Sequence, residues 1–301
     1  MKTWHYVSSG LRVRSDLPLP EWRSLEVEPT PETDVLIALG TSADGHGEKP
    51  STGVGSVQSF QIPGVGSVSV SDGRQIIVVP QGKSDSELRS VLLGSAWATV
   101  CHQRGRLVVH ASAVRVGEFA VAFCGPAQTG KSTLAAYLDS RGYEVLSEDL
   151  CCFELSPGLR PLIHRGTSGL RLWDDALTSL EWAAREKEPD PFRPSKFRIP
   201  LITPTGFSPV PVRAICLLSW GQLDIRQVTG LEALRQFLNN APYRATLAPS
   251  LESSGQYAAR CIDFLRETNT WNLTRPRDLS VLPRTFDLLQ EHWCGLRYNI
   301  L

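Results

Sequence analysis

Residues 1–83 carry their apolar positions in short runs, "DVLIAL", "SVQSFQI", "SVSVS" and "QIIVVP", set among glycine, proline and serine. Runs of this length bounded by turn formers predict strands. The segment is therefore expected to be a small β-rich N-terminal domain with no catalytic constellation of its own. The polar stretch "GTSADGHGEKPSTGVG" within it predicts a long surface loop, and His46 in that loop is expected to be merely solvated. At Ser84 the pattern changes. "SDSE" has the form of a capping box, with Ser84 as N-cap and Glu87 three residues on. It opens the amphipathic run "SELRSVLLGSAWATVCHQRG", which predicts a helix ending near Gly105. A second domain, 84–301, is placed to begin there.

In "RLVVHASAVRVGEFAVAFCG" two β-rich runs flank Gly117-Glu118, a pair suited to a two-residue hairpin turn. Val116 then faces Phe119, and the same register sets His110 opposite Gly125. After "GPAQTGKS", residues 133–141 predict a short helix stopped by Gly142. The strand "YEVL" follows and delivers Ser147-Glu148-Asp149 at its carboxyl end. Ligands of open α/β sheets bind beyond the carboxyl ends of strands, so the acidic pair and residues 125–132 are expected to share a crevice. Downstream, "GLRLWDDALTSL" predicts a turn and a helix start, "PDPFRPSKFRIPL" a proline-rich basic loop, and "VRAICLLSW" a buried strand. "GLEALRQFLNNAPY", "SGQYAARCIDFLRET" and "LPRTFDLLQEHW" predict helices. The order of elements is that of an α/β protein.

Composition narrows the class. Over 301 residues the chain is 42% hydrophobic and 21% charged, with lysine plus arginine balancing aspartate plus glutamate at 31 each. No overall field attracts nucleic acid or an anionic membrane, and no apolar run approaches a membrane span. The start of the chain has no secretory character. The seven cysteines (101, 124, 151, 152, 216, 261 and 294) form no C-x-x-C pair, which reads as free, mostly buried thiols in a cytoplasmic protein. The adjacent Cys151 and Cys152 are expected to pack in the core.

"GPAQTGKS" fits the phosphate-binding pattern G-x-x-x-x-G-K-[ST], with a strand before it and a helix after it. Backbone N–H groups of Gly125, Pro126, Ala127, Gln128, Thr129 and Gly130 (proline excepted), together with the first helical residues up to Thr133, would cradle a triphosphate at a positive helix end. Lys131 would reach the β- and γ-phosphates of ATP, and Ser132 would ligate Mg²⁺. Of Glu148 and Asp149, one carboxylate can hold Mg²⁺ and the other can accept a proton from an attacking hydroxyl. His110, brought beside the loop by the hairpin register, can contact the γ-phosphate or tune the neighbouring acid. His102 and His164 are weaker candidates.

The run "VVHASAV…GPAQTGKST…GYEVLSEDL" resembles the HPr kinase/phosphorylase superfamily, particularly its divergent HPr-kinase-like branch, over about residues 84–200. "WNLTRPRDLSVLP" resembles it more loosely. The resemblance implies an α/β fold with a P-loop kinase core of the HPr-kinase type, a small β-rich N-terminal domain and C-terminal helices. It implies His110 as the active-site histidine, Lys131 and Ser132 as the phosphate-loop pair, Asp149 as catalytic acid/base, and Glu148 in place of an aspartate that organises Mg²⁺. A later mobile loop supplies a basic residue in that family; "SKFRIPL" is its match, with Arg198 or Lys196 as the candidate. HPr enzymes carry an acidic-Ile-Arg-Gly signature, whereas "IHRGTSGLRLW" keeps Arg165-Gly166 without the glutamate. The resemblance therefore does not extend to phosphorylase activity or to HPr as substrate. Members of the divergent branch tailor ribosomal peptides, including a lasso-peptide precursor phosphorylated on a C-terminal serine. The expectation is thus an ATP- and Mg²⁺-dependent serine kinase for a peptide or small protein. The rivals are a small-molecule alcohol kinase and a non-catalytic nucleotide sensor. Relatives of this type often assemble, so a homo-oligomer is a further expectation. No guanine-reading N-K-x-D motif is present.

Overall fold

The computed structural model describes residues 2–41, 57–82, 85–166, 169–201, 206–243 and 253–298. Ser84 and most of the polar stretch around His46 lie outside the described residues. The first six strands are β1 (Trp4–Ser8), β2 (Leu11–Ser15), β3 (Val35–Leu39), β4 (Gln58–Ile62), β5 (Gly66–Ser71) and β6 (Gln75–Pro80). They form one sheet in the order β1-β2-β3-β6-β5-β4. The last four are the apolar runs of the sequence. The first two are additional: in β2, Leu11, Val13 and Ser15 are buried while Arg12 and Arg14 are exposed, a period-two strand masked by its arginines.

Helices α1 (Asp85–Val91) and α2 (Trp97–Gln103) are continuous through Leu92–Ala96, where the helix widens into a π turn. Their apolar side joins the core of the N-terminal sheet, with Leu88, Leu92 and Val100 packed among Val35, Ile37, Val68 and Ile76. Trp97 is buried against Trp22, edge to face at 4.9 Å. Its Nε1–H donates to Ser9 Oγ at 3.2 Å.

Further strands are β7 (Leu107–Val109), β8 (Ala111–Val116), β9 (Phe119–Cys124), β10 (Val145–Ser147), β11 (Cys151–Glu154), β12 (Leu162–Ile163), β13 (Gly169–Trp173), β14 (Glu188–Asp190), β15 (Arg193–Pro200), β16 (Val210–Trp220), β17 (Asp224–Gln227) and β18 (Asn269–Arg275). Nine form a central sheet, β10-β8-β9-β16-β12-β11-β7, with β18 beside β16 and β17 beside β18. Strands β9, β16 and β18 are mutually parallel. The hairpin register is the one the turn predicts, Val116↔Phe119 through Ala111↔Cys124, with Gly117 at φ +63° in the turn.

Both faces of this sheet are covered, so its strands are apolar on both sides. Val114, Val116, Val121 and Phe123 face α3 (Lys131–Ser140), α4 (Asp174–Ser179) and the C-terminal helix Leu282–Tyr298. Ala111, Ala113, Ala120 and Ala122 face α5 (Gly230–Asn240) and the helix Ser254–Arg266. Among the described residues, no helix is long and apolar enough to cross a membrane.

Two segments differ from expectation. "GLRLW" is strand β13 rather than a turn, and the supposed basic loop is the hairpin β14–β15, in a sheet ordered β13-β15-β14. The reason is period-two burial: Leu170 and Leu172 of β13, with Phe197, Ile199 and Leu201 in and just after β15, all join the core. The prolines that suggested a loop sit near strand ends or on the edge strand β14, where a missing N–H is tolerated.

Trp97→Ala should lower stability by roughly 3–5 kcal/mol, the usual cost of emptying a large buried aromatic site. Urea titration would show it as a lower midpoint; an unchanged midpoint would contradict the packing described.

Candidate active site

The site begins with two interruptions in the backbone. β7 and β8 are one apolar run broken at His110, and β10 and β11 are one run broken at Glu148-Asp149-Leu150. Because β8 pairs with β10 and β7 with β11, the two breaks face each other. At the first, His110 N–H leaves the sheet and donates to Ala241 O at 2.8 Å. At the second, Leu150 N–H donates to Glu148 O at 2.8 Å, closing a three-residue γ-turn with Asp149 at φ +66°. Aspartate is one of the few residues that visits this region routinely. Left-handed non-glycine residues of this kind collect at functional sites.

The phosphate-loop sequence runs from the end of β9 to the start of α3, with Gly125 and Thr129 buried and Pro126, Ala127 and Gln128 exposed. Gln128 and Gly130 have φ of +65° and +78°. A Cβ at 130 would also meet Arg275 Nη2, so that the guanidinium would have to shift. Thr129 Oγ1 donates to Pro126 O at 2.8 Å and closes the loop on itself. Lys131 is buried, and its Nζ donates to Gly125 O at 2.7 Å and Pro126 O at 3.0 Å. Ser132 Oγ donates to Glu148 Oε1 at 2.6 Å. Thr133 follows in the first turn of α3, whose free N–H groups leave a positive end at the loop.

Asp149 is braced from three directions. His110 Nε2 lies 3.3 Å from its Oδ1. Arg171 Nη1 lies 3.2 Å from Oδ2, and Tyr243 O–H donates to Oδ2 at 3.4 Å. Burial alone would raise its pKa, but the His110 contact and the Arg171 charge outweigh it and hold the carboxyl well below the usual range. Glu148 goes the other way. Burial, then the charge of Asp149, raise its pKa against the opposing pull of Lys196, Arg171 and Ser132. Burial lowers the pKa of Lys131. Two adjacent carboxyls are thus pushed apart, the pattern by which a site assigns distinct roles to similar groups.

Lys196 on β15 is half-buried with its ammonium 5.9 Å from the Trp173 ring centroid, and its charge acts on Glu148, Asp149 and Lys131. Arg198 binds Glu188 Oε2 at 3.1 Å and donates to Glu21 O at 2.8 Å, tying β15 to the N-terminal unit. It also lines a cavity of about 60 Å³ beside the acidic pair, shared with Glu21, Trp22, Gly94, Asp149, Arg171 and Tyr243. His164 is bonded to Glu154 instead, and His102 packs beside Tyr257. Cys151 and Cys152 are buried in the core.

Arg171, Tyr243 and Glu21 went unrecognised in the sequence. Arg171 had a signal: with Leu170 and Leu172 facing the core, a strand reading of "GLRLW" puts Arg171 on the opposite face. Tyr243 and Glu21 had none, because both come from elements distant in sequence. Gly166 of the retained Arg-Gly pair runs against β10, where its N–H donates to Leu146 O at 3.0 Å. A Cβ on Gly166 would stand 2.8 Å from Ser147 Oγ.

Among the described residues, no group of three or more His, Cys, Asp or Glu is placed to hold a metal ion by itself. Ser132 and Glu148 nevertheless offer adjoining hard oxygen donors. That suits Mg²⁺, which binds one or two protein oxygens and takes its other ligands from phosphates and water.

The Glu148 shift predicts a pH-dependent stability. Its folded pKa lies above the unfolded value of about 4.5, so its ionisation opposes folding as pH rises through the folded pKa, and below both values it costs nothing. In metal-free buffer Glu148→Gln should melt at a higher temperature than the wild type at pH 8, with the gap closing towards pH 4.5. A variant that melts lower at pH 8 would show that the carboxylate is stabilising.

No protein-family model matches the chain, and no curated protein matches it. The chain is similar in structure to the HPr(Ser) kinase/phosphatase from Coxiella burnetii, at 12% identity and a TM-score of 0.34, over 63% of this chain and 98% of that one.

Proposed function

We propose that this protein is an ATP- and Mg²⁺-dependent phosphotransferase that moves the γ-phosphoryl group to a serine hydroxyl of a peptide or small protein. The observation that carries the reading is the 2.6 Å contact of Ser132 with Glu148, which joins the phosphate loop to the acidic pair and sets Asp149 at its edge. The loop amides and Lys131 hold the triphosphate; to reach it, Lys131 exchanges the carbonyls of Gly125 and Pro126 for phosphate oxygens. Ser132 and Glu148 are the residues that would hold Mg²⁺, which when bound neutralises charge on the phosphates.

Asp149 receives the acceptor O–H. Its low pKa makes it a poor base in the ground state but a good hydrogen-bond acceptor that aligns the hydroxyl. In a loose transition state the proton is lost late, after the acceptor oxygen has begun to bond to phosphorus. His110, Arg171 and Tyr243 keep the carboxylate ionised and oriented. Lys196 is the better placed of the two basic candidates to offset charge on the transferring group, since Arg198 is occupied by Glu188 and Glu21. The cavity between Asp149, Arg198 and Trp22 has the size of a few waters, which suits a hydroxymethyl group rather than a nucleoside. The N-terminal unit then forms part of the acceptor site. The peptide acceptor rests on the resemblance to the HPr-kinase-like branch, and a C-terminal serine, as in a lasso-peptide precursor, is the form of acceptor it suggests.

The test is mass spectrometry after incubation with Mg²⁺-ATP and a panel of serine-ending peptides and free alcohols. Asp149→Asn should slow transfer by roughly 10²–10⁴-fold with ATP still bound, since asparagine also accepts a left-handed φ. Near-normal turnover by this variant would remove Asp149 from the reaction. Transfer confined to free alcohols would move the acceptor to small molecules.

A further inference from the structure

The acidic pair lies on one flank of the phosphate loop. From β9 the sheet runs through β8 to β10 and its carboxylates. On the other flank β16 and β18 run parallel to β9 and end together at Trp220 and Arg275, which are direct partners in the ladder. A triphosphate whose γ end is turned towards Glu148 and Asp149 points its nucleoside end away from them, and this second flank lies on the opposite side of the loop.

Two observations there point to a ligand. Trp220 is 38% exposed and is one of the few large apolar side chains left open to solvent among the described residues. Its ring is fixed, not loose: the Arg275 guanidinium carbon stands 4.8 Å from the ring centroid. The ring edge lies 3.6 Å from where a Cβ on Gly130 would be, so the indole abuts the phosphate loop itself. Arg275 is 1% exposed. Its Nη2 donates to Thr129 O at 3.1 Å, bracing the outer side of the loop. Its Nε and Nη1 meet no acceptor among the described residues. A guanidinium buried without a counter-charge is costly, and a triphosphate seated in the loop is an anion close enough to offset it.

We infer that the Trp220 indole is the stacking platform for the nucleobase, with Arg275 as the positioning residue that fixes the ring against the loop. This rests on the nucleotide reading above and adds the base subsite to it. Stacking on a rigid aromatic face tolerates different bases. The platform therefore favours nucleotide over inorganic polyphosphate more than it separates one base from another.

The probes are ATP and inorganic tripolyphosphate, each with Mg²⁺, titrated by calorimetry and by tryptophan fluorescence. Trp220→Ala should raise the Kd for ATP by roughly tenfold and leave that for tripolyphosphate within about twofold. ATP, but not tripolyphosphate, should quench emission; the quench should be lost in both Trp220→Ala and Trp220→Phe, while Trp220→Phe keeps most of the affinity for ATP. Arg275→Met should weaken the quench, and Arg275→Lys should restore part of it. Equal loss of both ligands in Trp220→Ala, or unchanged ATP affinity, overturns the base subsite while leaving the nucleotide reading intact. Failure of the wild type to bind either ligand overturns both.

Discussion

The site depends on two neighbouring strands breaking at the same level. Had β7–β8 and β10–β11 run on uninterrupted, His110, Glu148 and Asp149 would have been ladder residues, their backbone groups paired and their side chains alternating between the two apolar layers. Breaking both runs side by side removes a few ladder bonds and replaces them locally, with Ala241 O for His110 and the γ-turn for Leu150. The gap so formed is flanked by four paired strands. It opens at the end of β9, where the phosphate loop begins. A carboxylate placed in this way is held by the sheet rather than by a loop, and pre-organisation of that kind is what charge stabilisation in a reaction requires.

Burial makes the charges of the site depend on one another. Lys131 and Glu148 are nearly inaccessible, and each is pushed towards its neutral form. Asp149 escapes because His110 and Arg171 face it at close range. Ser132 satisfies one oxygen of Glu148 without adding charge, leaving a position where a cation would be welcome. Arg275 shows the same logic on the far side of the loop, where Nε and Nη1 of a buried cation meet no acceptor among the described residues. The loop after β9 therefore lies between buried charged groups on both of its flanks.

The N-terminal sheet is joined to this arrangement by packing. Trp97 and Trp22 lie in the core shared by that sheet and the α1–α2 helix, and Leu150 and Cys152 of the acidic-pair strand belong to the same core. Ser9 N–H donates to Arg165 O at 2.7 Å, and Glu21 O holds Arg198. Through these contacts the N-terminal unit supports the strand that carries Glu148 and Asp149 and walls the cavity beside them.

Local sequence was sufficient for whatever local physics controls. Gly117-Glu118 dictated the hairpin register as far as Ala111↔Cys124, whereas His110, one residue beyond, leaves the ladder and meets Asp149. The glycine spacing marked the turn between β9 and α3, and Gly142 marked the end of α3. In the β14–β15 hairpin the prolines obscure the alternation of Phe197, Ile199 and Leu201 that makes it a strand pair. What tertiary structure alone decided is which distant groups meet. Arg171 on Asp149, Tyr243 beside it, Glu21 against Arg198, and Trp220 with Arg275 behind Gly130 join elements whose separation along the chain carries no pairing signal. Their partners are chosen by sheet order and by burial of apolar faces, and those are properties of the whole fold rather than of any segment.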